Sequence, residues 1–299
     1  MTSLFCFGMG YSALELAGRL APRGWTIAGT ATSAAGIARL EQLGFEAHPF
    51  EGHTHIQADD IQPIDGGLAA RLDTVTHAVL SVPPDGAGDP VLRRFGRVLA
   101  AAPNLKWIGY LSTIGVYGDH NGGWVDETTP PTPGSERSRR RVEAENAWLE
   151  FGITSNRKIQ IFRLAGIYGP GRSAIDNVLD GSARRIIKPG QVFNRTHVAD
   201  IAGVLEAAIL KPCNPAIFNV TDDEPAPPQD VIAFAAGLLN VPVPPGINFD
   251  DATFSPMGRS FYSENKRVRN DRIKTALGVT LQYPTYREGL TVLAKAARR

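Results

Sequence analysis

The sequence predicts a doubly wound α/β fold, a parallel sheet covered on both faces by helices, with a second, smaller domain. Three observations predict it. Short apolar runs alternate with segments of helical period through the first half of the chain. A glycine turn joins the first of those runs to the first helical segment. Irregular, proline-rich sequence gathers only further on.

The elements follow in order. "SLFCFG" is too short and too continuously apolar for an amphipathic helix and ends in glycine, as a buried strand does. Ser12 to Leu20 has helical spacing, "WTIAGT" reads as the second strand, and Ala34 to Leu43 as the next helix. "THAVLSV", "LKWIGYLST" and "KIQIFRLAG" supply further strands, near-continuous apolar runs of the kind found where a strand is buried on both faces. "TTPPTPG", "DDEPAPPQD" and "NVPVPPGINF" are loops, since proline gives no ladder or helix donor. Between them "HVADIAGVLEAAIL" is an amphipathic helix and "AIFNVT" a strand. The expected division is a first domain of residues 1–168, completed by about 196–222, and a smaller substrate domain of 169–195 and 223–299. The absence of an internal repeat argues against a solenoid.

Composition narrows the function classes. The 299 residues, 43% hydrophobic, are enough for a sizeable core. Lys plus Arg (31) nearly cancels Asp plus Glu (30), so the net field gives no reason to expect nucleic acid or an anionic membrane as partner. A small-molecule substrate must be attracted locally. Cys6 and Cys213 form neither a disulfide framework nor a zinc-ligand pattern, which fits a reducing compartment. "MTSLFCFGMG" lacks a basic leader region, and no stretch approaches 20 apolar residues, so a cytoplasmic protein is expected. His48, His53 and His55 lie in one short, glycine-interrupted stretch without a second ligand cluster; no metal site is expected there.

"GMGYSA", Gly8 to Ala13, follows the first strand and opens the first helix, the context that a dinucleotide fingerprint requires. Gly8 permits the tight turn, Gly10 lets backbone approach a pyrophosphate, Tyr11 and Ser12 begin the helix, and Ala13 stands where strand and helix pack closely. The plain alternative is a turn that merely needs two glycines. The second strand ends "AGTATS", with no carboxylate where a ribose 2′-hydroxyl is usually read. Thr30, Thr32 and Ser33 offer hydroxyls to a ribose or to a 2′-phosphate, which tilts the expectation to NADP and leaves NAD open. Arg39 reads equally well as a phosphate contact and as a solvated helical charge.

"YLSTIGVYGD" (110–119) and "RLAGIYGPGR" (163–172), followed by "HVADIAG", "IFNVTDDEPAPPQDVI" and "RVRNDRIKTALGV", resemble the landmarks of the extended short-chain dehydrogenase/reductases, the NAD-dependent epimerase/dehydratase family. The resemblance runs nearly end to end. It implies a Rossmann-type domain for NAD(P), a small substrate domain and a site between them. It places Thr113 where the family's catalytic Ser or Thr bonds the reacting oxygen. Ser81, Val82 and Pro83 fall where the family's loop passes the cofactor, and Leu164, Ala165 and Ile167 near the nicotinamide. A homodimer through the catalytic helix is a further implication, with Trp148 and Leu149 in either the seam or the core.

The catalytic helix departs from the family. Aligning Glu145 with the glutamate that follows the family's lysine puts Arg141 at the lysine and Arg137 at the tyrosine of Tyr-x-x-x-Lys. A guanidinium does not deprotonate in proteins, so Arg137 cannot be a general base. In the resemblance, Arg141 keeps part of the lysine's hold on the ribose, and Arg137 faces a carboxylate or phosphate of the substrate. The plain alternative is a solvated "RSRRR" face with Arg141 paired to Glu145 at i,i+4. Tyr117 is the nearest candidate for proton transfer, with a structural tyrosine as its alternative. His197 and Asp200 read as helix-start residues. The expectation is an atypical NAD(P)-dependent oxidoreductase or epimerase acting on a small polar, anionic metabolite or sugar nucleotide. Its competitor is a non-catalytic protein that senses NAD(P) or a metabolite.

Overall fold

The computed structural model describes residues 2–52, 66–211, 213–214 and 216–298. His53 and His55 therefore lie outside the described residues; His48 bonds Glu46 at 2.9 Å. Among the described residues no group of His, Cys, Asp and Glu could hold a metal ion. Among the described residues, no helix is long and apolar enough to cross a membrane.

Strand β1 (Ser3–Phe7) is buried throughout and is followed by α1 (Tyr11–Leu20), β2 (Thr26–Ala31), α2 (Ala34–Gln42) and β3 (Glu46–Pro49). Next come α3 (Gly66–Asp73), β4 (His77–Leu80), α4 (Pro90–Ala101) and β5 (Trp107–Thr113). The short β6 (Trp124–Val125), the long α5 (Glu136–Ser155) and β7 (Lys158–Leu164) complete the first half. The second half comprises β8 (Gly166–Tyr168), α6 (Ala174–Leu179), β9 (Arg185–Ile187), β10 (Arg195–His197), α7 (Val198–Leu210) and β11 (Ile217–Val220). Last are α8 (Pro228–Leu239), β12 (Gly246–Asn248), α9 (Pro256–Phe261), β13 (Arg267–Val268), α10 (Asp271–Leu277) and α11 (Tyr286–Ala297).

Seven strands form one sheet in the order β11-β7-β5-β4-β1-β2-β3, and β1 pairs in parallel with both β2 and β4. The order reverses at β1, so the carboxyl ends of β1 and β4 flank the switch point where doubly wound sheets take ligands. The expected doubly wound α/β class is what the chain adopts. Its buried positions explain the apolar runs: Phe5, Phe7, Leu80, Phe95, Ile108 and Trp148 belong to one core cluster, with the Phe7 and Phe95 rings 5.0 Å apart.

The chain divides into two compact units. The first comprises Met1–Thr113, Glu136–Arg163 and Leu205–Phe218, and the second Ile114–Ser135, Leu164–Val204 and Asn219–Arg299. The segment after Thr113, which the sequence expectation kept in the first domain, contacts the second unit's own chain. The cause is main-chain pairing: His120 and Gly122 both donate to the Asn265 carbonyl, Arg267 donates to Gly123, and β6 pairs with β13. Two further parallel pairs, β8 with β10 and β9 with β12, lie in the second unit. Its core gathers Tyr168, Ile175, Val231, Tyr286 and Leu290.

Candidate functional site

In the first unit, β1 ends in a turn bonded by the side chains of Thr30 in β2 and of Ser81 just past β4. Gly8 has φ +80°, a left-handed conformation that favours glycine, and a Cβ there would stand 2.8 Å from Ser81 Oγ. Its N–H donates to Thr30 Oγ1 (2.8 Å), and the Ser81 hydroxyl donates to its carbonyl. Thr30 is buried. Its hydroxyl oxygen accepts the Gly8 amide and so supports the turn. The same bond gives Ser81 a turn-holding function beside β4.

Gly10 is the N-cap of α1, which has no side-chain cap and no acid in its first turn. A Cβ on Gly10 would meet nothing within 4 Å. Gly10 thus leaves open the space that a side chain would partly fill, and a helix N-terminus there favours an anion. Tyr11 is half-buried, while Ser12 and Ala13 are buried. Beyond β2, Thr32 and Ser33 are exposed, and Ser33 accepts from Gly36 N to cap α2. Ala31-Thr32-Ser33 presents no carboxylate to repel a 2′-phosphate. Val82 is half-buried and Pro83 exposed at the carboxyl end of β4. This set, a glycine turn, an uncapped helix start and an acid-free second strand, fits a nicotinamide dinucleotide.

The α5 arginines separate by partner. Arg139 and Arg140 bond Glu136 on the surface. Arg141 donates through Nη1 to the Tyr110 hydroxyl (2.9 Å) and the Leu111 carbonyl (3.0 Å), and its guanidinium lies over the Tyr110 ring. Arg137 is exposed and, among the described residues, has no hydrogen-bond or ion-pair partner. The expected alternative of an Arg141–Glu145 pair is corrected. Glu145 is buried and pairs with Arg163 (2.7 Å), while Ser112 donates to its other oxygen (2.5 Å). Burial pushes the Tyr110 hydroxyl far above the usual range despite the adjacent guanidinium, so it stays a neutral phenol. Burial likewise raises the Asp89 carboxyl, against the opposing pull of the bond from the Leu92 amide and of the Arg141 charge.

Thr113 is half-buried at the carboxyl end of β5. In the second unit, Tyr117 is fully buried and its hydroxyl donates to Asn219 Oδ1 (2.8 Å). Its carbonyl accepts from Thr132 Oγ1 (2.5 Å) and lies 3.0 Å from His120 Nε2. That geometry is a structural tyrosine's and weighs against Tyr117 as base. Gly118 has φ +70°, and a Cβ there would collide with the Thr132 carbonyl. Leu164 and Ala165 are buried and Ile167 is half-buried; the Ala165 amide donates to Val220.

Sequence reasoning missed three contributors. Arg163 left a signal, a charge inside an apolar central strand, which demands a buried partner. Lys266 left none: it is buried, with Nζ 2.6 Å from both the Gly118 carbonyl and Glu264. Asn219, likewise buried, is visible only through its bond to Tyr117.

A glycine turn at the switch point of a parallel sheet, opening a helix without a side-chain cap, places the chain among the doubly wound α/β proteins. Its fold is shared with a structure described as a putative NAD-dependent epimerase/dehydratase from Methylobacillus flagellatus, 24% identical over 100% of this chain and 99% of that one with a TM-score of 0.72. The chain belongs to the same family as a functionally unknown conserved protein from Silicibacter pomeroyi, 50% identical over the whole of both chains with a TM-score of 0.88. No protein-family model matches it. Protein YeeZ of Escherichia coli is 26% identical over 95% of this chain and 97% of its own. A 3-diazoavenalumate denitrifying reductase from Streptomyces is 28% identical over 56% of this chain and 58% of its own. The dTDP-glucose 4,6-dehydratase of Bacillus anthracis, solved in complex with NAD, shares the fold at 15% identity, with a TM-score of 0.77 and coverage of 100% and 97%.

Proposed function

We propose that the chain is an NAD(P)-dependent oxidoreductase of the extended short-chain type, acting on a small anionic metabolite. The observation that carries this reading is the turn of Gly8 and Gly10 at the switch point, where the open space above Gly10 and the uncapped α1 suit a pyrophosphate. The exposed Thr32 hydroxyl and the acid-free end of β2 favour the 2′-phosphate of NADP over the free ribose of NAD. When bound, the cofactor supplies the hydride acceptor or donor. The solved NAD complex of a protein of this fold and the reductase relative support that chemistry.

Thr113 orients the reacting oxygen through its hydroxyl. Arg137, exposed and without a partner among the described residues, holds a carboxylate or phosphate of the substrate. No residue of α5 at the family's tyrosine and lysine positions takes or gives a proton, and Tyr117 is engaged with Asn219. Losing such a proton relay costs roughly 10²–10⁴ in rate, so turnover of ordinary sugar nucleotides is slow. The missing relay is also what favours the second reading, a sensor of the cofactor or a metabolite. Thr113→Ala separates the two: lost turnover with binding intact supports chemistry, and unchanged behaviour supports sensing.

The test of the cofactor is a titration with NADPH and NADH that follows quenching of the four tryptophans, confirmed by calorimetry. Micromolar binding with NADPH preferred is the expected result. Binding of neither form reduces the glycine turn to architecture and removes the proposal.

A further inference from the structure

Arg141 stands where the family resemblance expects a hold on the nicotinamide ribose, yet its hydrogen bonds run to the strand that ends in Thr113. Three consecutive residues of β5 are tied to α5. Arg141 Nη1 donates to the Tyr110 hydroxyl and the Leu111 carbonyl, and one helical turn later Glu145 accepts from the Ser112 hydroxyl at 2.5 Å. The second rung is itself braced, because Glu145 takes bonds from Arg163 Nε at 3.2 Å and Nη2 at 2.7 Å.

Residues 141 and 145 share one face of α5, four apart, and their partners advance along β5 toward Thr113. Strand side chains alternate between faces, so packing alone could not grip three successive residues from one side; here a hydroxyl, a main-chain carbonyl and a second hydroxyl do. Charge-assisted bonds in a dry setting are directional and lose energy steeply when misaligned, which makes them suited to fixing register. The carbonyl of Leu111 is the more telling contact. A guanidinium on a main-chain oxygen two residues before Thr113 constrains the backbone from which the Thr113 hydroxyl projects.

We propose that Arg141 is a positioning residue: with Glu145 it forms a two-rung polar clamp that fixes the end of β5 and so aims Thr113. The inference rests on the proposed oxidoreductase reading for its purpose, but its geometry lies wholly within the first unit. It also assigns the two α5 arginines different tasks, Arg137 toward the substrate and Arg141 toward the strand.

The test uses the whole chain carrying ¹³C-methyl threonine, with the Thr113 methyl signal identified by its disappearance in Thr113→Ser. Arg141→Met removes both bonds of the first rung. Arg141→Lys restores a cation that can meet one acceptor at a time. Leu99→Ala, in the buried core of α4, is a control that destabilises without touching the clamp. The expected result is a Thr113 methyl shift in Arg141→Met beyond that of the control, with partial return in Arg141→Lys. An unmoved Thr113 signal in Arg141→Met, or a shift no larger than the control's, overturns the proposal. Should Arg141→Met fail to fold, Arg141→Lys alone decides, since one lost acceptor still has to move the signal. NADPH titration of the same proteins keeps the two readings apart: a wild-type chain that binds no cofactor refutes the oxidoreductase, while the methyl shift still decides the clamp.

Discussion

Gly8 and Gly10 stand two residues apart in one turn, and the structure predicts opposite consequences for adding a methyl group to each. At Gly8 the left-handed φ of +80° costs an L-residue roughly 1–2 kcal/mol. The new Cβ also stands 2.8 Å from Ser81 Oγ. Moving that hydroxyl gives up its bond to the Gly8 carbonyl, about 1 kcal/mol more. Gly8→Ala should therefore lose about 2–3 kcal/mol, which at about 2 °C per kcal/mol for a chain of this size lowers the melting temperature by about 4–6 °C.

Gly10 has φ −91°, allowed for any residue, and open space where its Cβ would go. Alanine is a poorer N-cap than glycine by about 0.5–1 kcal/mol, and the lost unfolded-state entropy offsets that by about 0.4–1 kcal/mol, so stability stays within about 0.5 kcal/mol. The methyl instead occupies the approach of the pyrophosphate and should weaken NADPH binding at least about tenfold, or 1.4 kcal/mol. Differential scanning calorimetry and NADPH titration of both variants make the comparison. A Gly10→Ala protein that binds NADPH as well as wild type, or that melts as early as Gly8→Ala, refutes the assignment of Gly10 to the cofactor.

Three other outcomes follow from the described bonds. Tyr117→Phe strands the Asn219 oxygen in a buried site and should cost about 1–3 kcal/mol in urea unfolding. If it instead folds like wild type but loses all turnover of an identified substrate, Tyr117 is the base after all. Glu145→Gln leaves the Arg163 charge buried and poorly paired, at a cost of about 3–5 kcal/mol. Adding Arg163→Met should recover most of that loss, and an additive double variant would show the pair to be uncoupled. Burial lowers His197 from 6.5 to about 4, so in acid the unfolded chain takes up a proton that the folded chain refuses. Stability contributed by the neutral ring should thus fall as pH drops from about 6.5 to 4, and His197→Gln should flatten that limb in a pH series of melting curves.

The strands and the glycine turn were legible because each is a local pattern: a short apolar run, or two glycines where a strand meets a helix. Ser12 to Leu20 and "HVADIAGVLEAAIL" became α1 and α7 for the same reason. Side-chain partners were not legible, because the choice between a neighbour on the helix and one across the fold is made by packing. Glu145 had Arg141 at the ideal helical spacing and chose Arg163, 18 residues away, where burial strengthens the pair. Thr30 looked like a ribose reader because it lies near the end of the second strand, and its bond to the Gly8 amide, 22 residues away, is a tertiary contact that no local pattern announces. The loop after Thr113 has no apolar period of its own, so nothing local announced that it joins the second unit through Asn265 and Arg267.

The strut that Arg141 makes against β5 also bears on which residues the helix tolerates. A lysine at that position, the residue of the common family pattern, cannot satisfy the Leu111 carbonyl and the Tyr110 hydroxyl with the same planar reach. Placing lysine at 141 would therefore loosen the bonds that tie α5 to the end of β5. Position 141 thus answers to the backbone of β5 as much as to any ligand: a substitution at Tyr110 can remove one of its two acceptors, but the carbonyl of residue 111 stays whatever side chain is placed there.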